Sequence, residues 1–302
     1  MRIDGDTRQH STLLRYCASP AAVRGLTVAE VKSRDGLRIH YELDIPPQSS
    51  AAASGQTVVL LHPAGADGTT WERLGWVEPL VGAGLRVIRI DARGYGASSQ
   101  VTEARLLAGS PCVDDIACVL DAEGIAAAHL AGYSMGACHA IRFAEVHPER
   151  VHSLVLGGIV VGALAIQGLH LAPDAEAEDQ RAQALVQLDG ALAGLSGYGA
   201  KVVHAAREVV RTERFARPDL SRVRVPTLIA AGGDDPAAEP WIRAELAHLI
   251  PGARVLVVEG VNHVECIADP RLREAMVVFL RECLDPPLGN AASVGTGEPP
   301  PV

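Results

Sequence analysis

The sequence has 302 residues, 48% of them hydrophobic and 21% charged, so the chain can bury a large core. Its formal net charge is −9 and no run of lysine and arginine is present, which argues against a nucleic-acid partner. Aromatic residues make up only 4% of the chain, which also disfavours a surface on which nucleic-acid bases stack.

The cysteines and the N-terminal residues indicate in which cellular compartment the protein is found. The six cysteines form no C-x-x-C pair and show no zinc-finger spacing with histidine, which indicates reduced thiols, a cytoplasmic protein and no metal site. The first 20 residues lack the apolar segment of a secretory signal. The most apolar stretch, 154–172, contains several glycines, and a strand that leaves the core explains it better than a membrane span. We therefore expect no membrane partner.

The first half of the chain alternates predicted strands and helices. Arg34-Asp35-Gly36 is a hairpin signal between the first two strands, and Gly124 is a plausible helix stop. Such alternation predicts parallel βαβ units with right-handed crossovers. The predicted strands are 27–32, 37–43, 57–61, 86–90, 128–132 and 153–161, and the predicted helices are 70–82 (with Pro79 near its end), 113–123 and 135–145.

The alternation stops between residues 162 and 221. Helices are predicted there at 181–195 and 201–212, with no strand, and we interpret the segment as a small helical cap. Strand and helix then resume at 225–231, 241–250, 254–258 and 272–284. The predicted organisation is an N-terminal arm at 1–25, a core at 26–161 and 222–284, the cap at 162–221, and a disordered tail at 285–302 that is rich in proline and glycine.

The chain is organised around Gly132-Tyr133-Ser134-Met135-Gly136, a Gly-x-Ser-x-Gly pattern between an apolar run and a predicted helix. This context is typical of a nucleophile elbow, a sharp turn that lifts one serine above a sheet. Gly132 and Gly136 lie where any Cβ would collide across so tight a turn. The helix N-terminus beneath Ser134 suits a developing oxyanion. The alternative is a glycine-rich strand end whose serine only caps the helix.

A serine nucleophile needs a base, and the base needs an orienting carboxylate. Among eleven histidines, His263 is best placed, because it lies in a loop after a predicted strand and follows Ser134 and an acid along the chain. Eight others are explained as solvated loop or helix-surface residues: His62, His129, His139, His147, His152, His170, His204 and His248.

The acid is predicted in Gly232-Gly233-Asp234-Asp235, where a buried strand ends in a glycine turn. We favour Asp235 as the acid and assign Asp234 to the turn or a helix cap. Asp91 also follows a strand, but it precedes Ser134, which disfavours it. The remaining weak competitors are Asp44, Asp115 and Asp121.

An oxyanion hole is expected partly from the loop after an earlier strand. Leu61-His62-Pro63-Ala64-Gly65 fits, because its small residues let backbone N–H groups approach a ligand. We predict the N–H groups of Ala64 and Met135 as the donors. The alternative is a plain strand-to-helix loop.

Together these segments resemble the alpha/beta-hydrolase superfamily. In the family's order, the matching pieces are LLHPAG at 60–65, DARGYGAS at 91–98, LAGYSMGA at 130–137, HPERVHSLVLGG at 147–158, VPTLIAAGGDDP at 225–236 and GVNHVECIADP at 260–270. The resemblance implies an α/β fold with a mostly parallel eight-stranded sheet, flanked by helices and edged by an antiparallel hairpin. It implies a triad of Ser134, Asp235 and His263, and it favours Asp235 over Asp234 because the second acidic position usually supplies the acid. It also implies that Ala64 donates to the oxyanion.

The sequence departs from the family pattern at three places. Pro63 stands where glycine is usual, and it has no N–H to donate. Tyr133 stands where histidine is common, and the stretch after Asp235 is slightly longer than usual, which keeps Asp234 open as the acid. The cap matches no substrate-specific pattern.

The sequence predicts a serine hydrolase of a small carboxylic ester or similar acyl compound, with no metal and no organic cofactor. Alternatives within the fold are hydrolysis of a carbon–carbon bond in a β-diketone-like substrate and perhydrolysis. A receptor-like protein that binds a ligand with little turnover is a further alternative. An aspartate nucleophile for epoxides or haloalkanes is disfavoured, because residue 134 is serine. The expected partner is a small-molecule substrate, and the expected state is a monomer or homodimer.

Overall fold

One eight-stranded sheet forms the centre of the protein. The computed structural model describes residues 25–47, 55–101, 103, 106–107, 110–166, 169–171, 177–193, 197–212 and 218–284; the predicted arm up to residue 24 and the predicted tail at 285–302 lie outside them. The strands are β1 Gly25–Lys32, β2 Arg38–Ile45, β3 Thr57–Leu61, β4 Arg86–Ile90, β5 Ala128–Tyr133, β6 Val151–Gly157, β7 Thr227–Gly232 and β8 Arg254–Val258, in the spatial order β1-β2-β4-β3-β5-β6-β7-β8.

The sheet is mostly parallel, as predicted. β1 pairs with β2 and β2 with β4 in the antiparallel sense, and every other pairing is parallel. In the parallel part, Leu61 pairs with Gly132, and Tyr133 pairs with Gly157. The carboxyl ends of β3, β5 and β6 therefore meet at one edge, which is where an open α/β sheet places its ligands.

Ten helices are present in the described part of the chain. They are α1 Thr69–Arg73, α2 Val77–Gly82, α3 Ser110–Ala122, α4 Met135–Val146, α5 Val161–Ile166, α6 Ala177–Ala193, α7 Gly197–Thr212, α8 Pro240–Leu249, α9 His263–Ala268 and α10 Pro270–Leu284. Within the described residues, none of them is both long and apolar enough to cross a membrane.

Two apolar cores lie on the two faces of the sheet. Val59 and Leu61 join the core that contains Phe143 of α4, whereas Val58 and Leu60 join the one that contains Phe279 of α10. Side chains alternate across a strand, so a strand that is covered on both faces must be apolar throughout. β3, β5 and β7 are accordingly buried at every residue.

Several element boundaries differ from the prediction. The helix predicted at 70–82 is two helices, because Gly75 adopts φ +72° and ends α1 before α2 begins. Pro79 is the third residue of α2, whose last residue is Gly82. The strand predicted at 153–161 ends at Gly157, and α5 follows.

The described residues of the predicted cap segment include three helices, α5, α6 and α7. Its predicted helices correspond to α6 and α7, while α5 at its entrance was not predicted. Gln187 of α6 joins the cap to the core: its side-chain oxygen accepts a hydrogen bond from the Gly162 N–H at 2.8 Å, and its amide group donates to the Ala237 carbonyl at 3.4 Å. One cap side chain thus contacts the loop that carries Asp235.

Candidate active site

Ser134 occupies a strained turn between β5 and α4. Its φ and ψ are +53° and −114°, and among the described residues it is the only one other than glycine with a positive φ. A backbone of this kind costs on the order of 1–3 kcal/mol and persists only where the surroundings impose it. Here the Ser134 N–H donates to the Gly157 carbonyl at 2.8 Å, which fixes the turn to β6.

Two glycines make the turn sterically feasible. A Cβ on Gly132 would overlap the Gly136 carbonyl across the turn, and a Cβ on Gly136 would overlap the Leu61 carbonyl at the end of β3. The N-terminus of α4 therefore lies directly against the loop that follows β3. The geometry is that of the predicted nucleophile elbow.

Asp235 and His263 form a hydrogen-bonded pair. Nδ1 of His263 lies 2.6 Å from Oδ2 of Asp235, and the Asp235 side chain is fully buried. Its second oxygen accepts the N–H groups of Ala237 and Ala238, at 2.9 and 3.1 Å. Burial raises the pKa of Asp235, but the hydrogen bond from His263, the charge of His263 and the two N–H groups outweigh burial and hold it below its ordinary value. Asp235 is thus kept ionised.

Asp234 lies in the turn. It is exposed, and its N–H donates to the Val261 carbonyl at 3.1 Å. The structure therefore brings Asp235 to His263 and leaves Asp234 as a turn residue.

His263 begins helix α9 and does not lie in the open loop that the sequence predicted. Asn262 caps this helix by accepting the N–H groups of Val264 and Glu265, and Glu265 accepts the Asn262 N–H in return. This is a capping box, which fixes the start of a helix. The Asn-x-x-Glu pattern at 262–265 was visible in the sequence and would have predicted it.

The two predicted oxyanion donors lie in the loop after β3 and at the start of α4. Within the residues that the structure describes, the N–H groups of Ala64 and Met135 have no hydrogen-bond acceptor. Met135 is the first residue of α4, whose opening N–H groups have no partner in the helix and carry its partial positive charge. Both N–H groups remain available to a negatively charged oxygen.

His62 holds that loop in place and is not the solvated residue that was expected. It is 1% exposed; its Nδ1 donates to the Pro63 carbonyl at 2.8 Å, and its Nε2 accepts the Ala92 N–H at 3.0 Å. Burial lowers its pKa, so the ring is held neutral. A neutral ring is required, because Nε2 acts as an acceptor.

The sequence profile of the alpha/beta hydrolase family matches residues 58–275 of the chain. The chain belongs to the alpha/beta hydrolase family. The family fold thus accounts for the order of the elbow, the acid and the histidine along the sequence.

Relatives of this chain carry different activities in their names. The chain is 31% identical over 242 residues to a 2-hydroxy-6-oxononadienedioate/2-hydroxy-6-oxononatrienedioate hydrolase of Paraburkholderia xenovorans, which covers 68% of this chain and 77% of the relative. It is 35% identical over 141 residues to epoxide hydrolase B of Mycobacterium tuberculosis, which covers 47% and 38%. Against this and several other relatives, the aligned segment spans only about two fifths of the relative's length.

A solved structure supports the fold of this chain. A hydrolase from Pseudomonas aeruginosa superposes with a TM-score of 0.60 at 22% identity, which covers 84% of this chain and 98% of that one. The fold is therefore common to proteins whose sequences have diverged widely.

The aspartates that competed with Asp235 in the sequence have other partners. Asp91 accepts the N–H groups of Gly68 and Ala97, at 2.7 and 2.8 Å, and also bonds Nδ1 of His40 at 2.9 Å. It thereby joins the loops after β3 and β4. The other three each bond an arginine: Asp44 with Arg89, Asp115 with Arg93, and Asp121 with Arg150.

Three more histidines expected at the surface are buried: His129, His139 and His170 are 1%, 6% and 3% exposed. Burial lowers the pKa of His129 to about 4 and of His139 to about 3. His129 bonds Ser153 and Gln56, both at 2.7 Å. The rings of His129 and His139 are therefore neutral core residues, whereas His152, His204 and His248 are exposed as predicted.

Sequence reasoning also missed the role of Tyr133. It noted only that tyrosine replaces a common histidine, but the Tyr133 hydroxyl donates to the His263 carbonyl at 2.7 Å. Such a contact spans 130 residues of chain and has no local sequence signal.

Proposed function

We propose that this protein is a serine hydrolase of a small carboxylic ester or a related acyl compound. The observation that carries the proposal is the 2.6 Å bond between His263 and the buried Asp235, in a chain whose elbow presents Ser134. A serine becomes a nucleophile when an imidazole accepts its proton and a carboxylate holds that imidazole in place.

In the proposed reaction, Ser134 Oγ attacks the substrate carbonyl and His263 Nε2 takes its proton. Asp235 holds the ring by Nδ1 and stabilises the imidazolium. The N–H groups of Ala64 and Met135 bind the oxyanion, and His263 returns the proton to the leaving group. Water, deprotonated by His263, then cleaves the acyl-enzyme, which releases the acid and regenerates Ser134. No step requires a metal or an organic cofactor.

We propose that the substrate is a small molecule and that the protein is cytoplasmic. The five cysteines that the structure describes all carry free thiols, which supports a reducing compartment.

Two measurements test the proposal. A fluorophosphonate probe should label Ser134, as located by peptide mass spectrometry, and Ser134→Ala should not be labelled. A panel of p-nitrophenyl esters of increasing acyl length should then be hydrolysed by the wild type alone. Labelling without turnover of any ester would favour the receptor-like alternative, and absence of labelling would refute a nucleophilic Ser134.

Hydrolysis of a carbon–carbon bond is the second candidate. It is favoured by the relative named a 2-hydroxy-6-oxononadienedioate hydrolase, which aligns with 68% of this chain. Here water adds across the bond between a carbonyl carbon and its neighbour, which gives an acid and a new C–H. Assaying 2-hydroxy-6-oxononadienedioate beside the esters distinguishes carbon–carbon bond hydrolysis from ester hydrolysis. The substrate class that the enzyme prefers will have the higher kcat/KM. The relative named an epoxide hydrolase lends its activity less support, because residue 134 offers a hydroxyl and no carboxylate.

A further inference from the structure

Tyr133 precedes Ser134 directly and takes no part in the chemistry proposed above. Its side chain is 2% exposed and packs in the core that contains Cys266 and Ile267 of α9. It thus projects from the end of β5 toward the helix that His263 begins.

The adjacent strand leaves a space that fits the Tyr133 ring. A Cβ on Gly157 or on Gly158 would come within 2.7 Å of ring carbons, which is closer than real Cβ contacts. Gly157 ends β6 and also accepts the Ser134 N–H. The ring and the nucleophile turn are therefore fixed against the same residue.

The Tyr133 side chain contacts both the backbone and the ring of His263. The hydroxyl donates to the His263 carbonyl at 2.7 Å, and the two ring centroids lie 5.3 Å apart at an interplanar angle of 50°. Burial raises the pKa of this phenol, so the hydroxyl keeps its proton and remains a donor.

These contacts connect the two reacting side chains by a short path. Asp235 holds the imidazole of His263, and Asn262 fixes the start of its helix, but neither is attached to the strand that carries Ser134. Tyr133 is attached to that strand, since it is the preceding residue. A displacement of about 1 Å between reacting groups can cost roughly 100-fold in rate.

We propose that Tyr133 is a positioning residue whose hydroxyl fixes the main chain of His263 relative to Ser134. The inference rests on the proposed function. The competing explanation is that the ring merely fills the core, in which case the hydroxyl has no effect on the rate.

The test compares Tyr133→Phe with Tyr41→Phe. Tyr41 is a matched control, because it is 3% exposed and its hydroxyl donates at 2.8 Å to Glu123. Glu123 also pairs with Arg86 at the start of β4, the end of that strand opposite to the site. Both variants lose one buried hydrogen bond and should show comparable falls in Tm. With p-nitrophenyl acetate, Tyr133→Phe should lower kcat about 10- to 100-fold with KM within about threefold, and Tyr41→Phe should leave kcat unchanged.

Two substitutions at residue 133 separate the lost bond from a packing defect. 4-Fluorophenylalanine fills the space of the hydroxyl but cannot donate, so it should reproduce the loss; it also serves if Tyr133→Phe does not fold. 4-Aminophenylalanine restores a donor and should recover most of kcat. If neither non-donor lowers kcat more than Tyr41→Phe does, the positioning role is overturned.

A double-mutant cycle with Asp235→Asn gives an independent readout. If Tyr133 acts through His263, its hydroxyl should matter much less once His263 has lost its carboxylate partner. Full additivity of the two losses would overturn the proposal. The rate of fluorophosphonate labelling at Ser134 distinguishes failure of the proposed function from failure of the role of Tyr133. No labelling in the wild type refutes the proposed function. Normal labelling in Tyr133→Phe refutes only the role of Tyr133.

Discussion

Asp235 and His263 are 28 residues apart in the chain, yet the carboxylate and the imidazole meet at 2.6 Å. β7 ends just before Asp235, and β8 ends just before the turn that leads to His263. Because these strands are parallel neighbours, both residues emerge at one edge of the sheet. The position of the acid thus follows from the fold, and its orientation follows from the N–H groups of Ala237 and Ala238.

Asp235→Asn is expected to lower kcat by roughly 10⁴, because an amide favours the wrong tautomer of His263. Asp234→Asn is the matched control: the residue is adjacent and exposed, and its fold contact is made by its backbone N–H. It should leave kcat within a few fold. Steady-state measurement of kcat on p-nitrophenyl acetate compares the two variants. A larger loss of kcat in Asp234→Asn than in Asp235→Asn would identify Asp234 as the acid.

Ser134→Ala and Ser134→Gly should both abolish hydrolysis, by on the order of 10⁶ in rate. They should differ in stability. Alanine must keep the φ of +53°, whereas glycine adopts it freely, so Ser134→Gly should be the more stable variant by about 1 kcal/mol. Urea denaturation measures the difference. A more stable Ser134→Ala would show that the elbow is not strained in solution.

Much of the fold could be predicted because its signals are local. Buried parallel strands are continuous apolar runs, and Gly124 ends α3 with φ +65° as its position suggested. Ser134, Asp235 and His263 could be proposed because each lies at a strand end within a recognisable motif. The buried state of His62 and the contact of Tyr133 with His263 could not, since both depend on residues that are remote in sequence.

His139 should make the protein less stable at mildly acidic pH. Burial, with a smaller contribution from the positive charge of Arg93, lowers its pKa to about 3. The unfolded chain binds a proton below about pH 6.5 and the folded chain does not, so the free energy of unfolding falls as pH falls through that window. The contribution of His139 is about 2 kcal/mol between pH 7 and pH 5.

His139→Leu should remove that part of the pH dependence, as measured by urea denaturation at pH 7, 6 and 5. The control is His204→Gln, which removes a histidine from the exposed surface of α7 and should keep the wild-type slope. Asp235 acts in a different window: its lowered pKa makes its contribution present above about pH 4 and lost only below it. An unchanged slope in His139→Leu would show that this ring is not held neutral.

Activity should not depend on a metal. Over the described residues, no group of three or more histidines, cysteines and carboxylates is arranged to hold a metal ion. Prolonged treatment with EDTA should therefore leave the rate of ester hydrolysis unchanged. Loss of activity that one added divalent ion restores would contradict the cofactor-free mechanism.

Gln187 should influence substrate choice more than it influences the chemistry. Its side chain bonds the Gly162 N–H at the start of the cap and the Ala237 carbonyl in the loop that carries Asp235. We therefore expect these bonds to set the position of α6 against the site. Gln187→Ala should therefore change the ratio of kcat/KM for p-nitrophenyl acetate and p-nitrophenyl octanoate by several fold, while fluorophosphonate still labels Ser134. Val186→Ala is the control on the same helix, since Val186 is 71% exposed, and it should leave the ratio as it is. If both variants keep the wild-type ratio, this contact of the cap does not shape the acyl site, because loss of the bonds made by Gln187 should shift a wall that discriminates the two chain lengths.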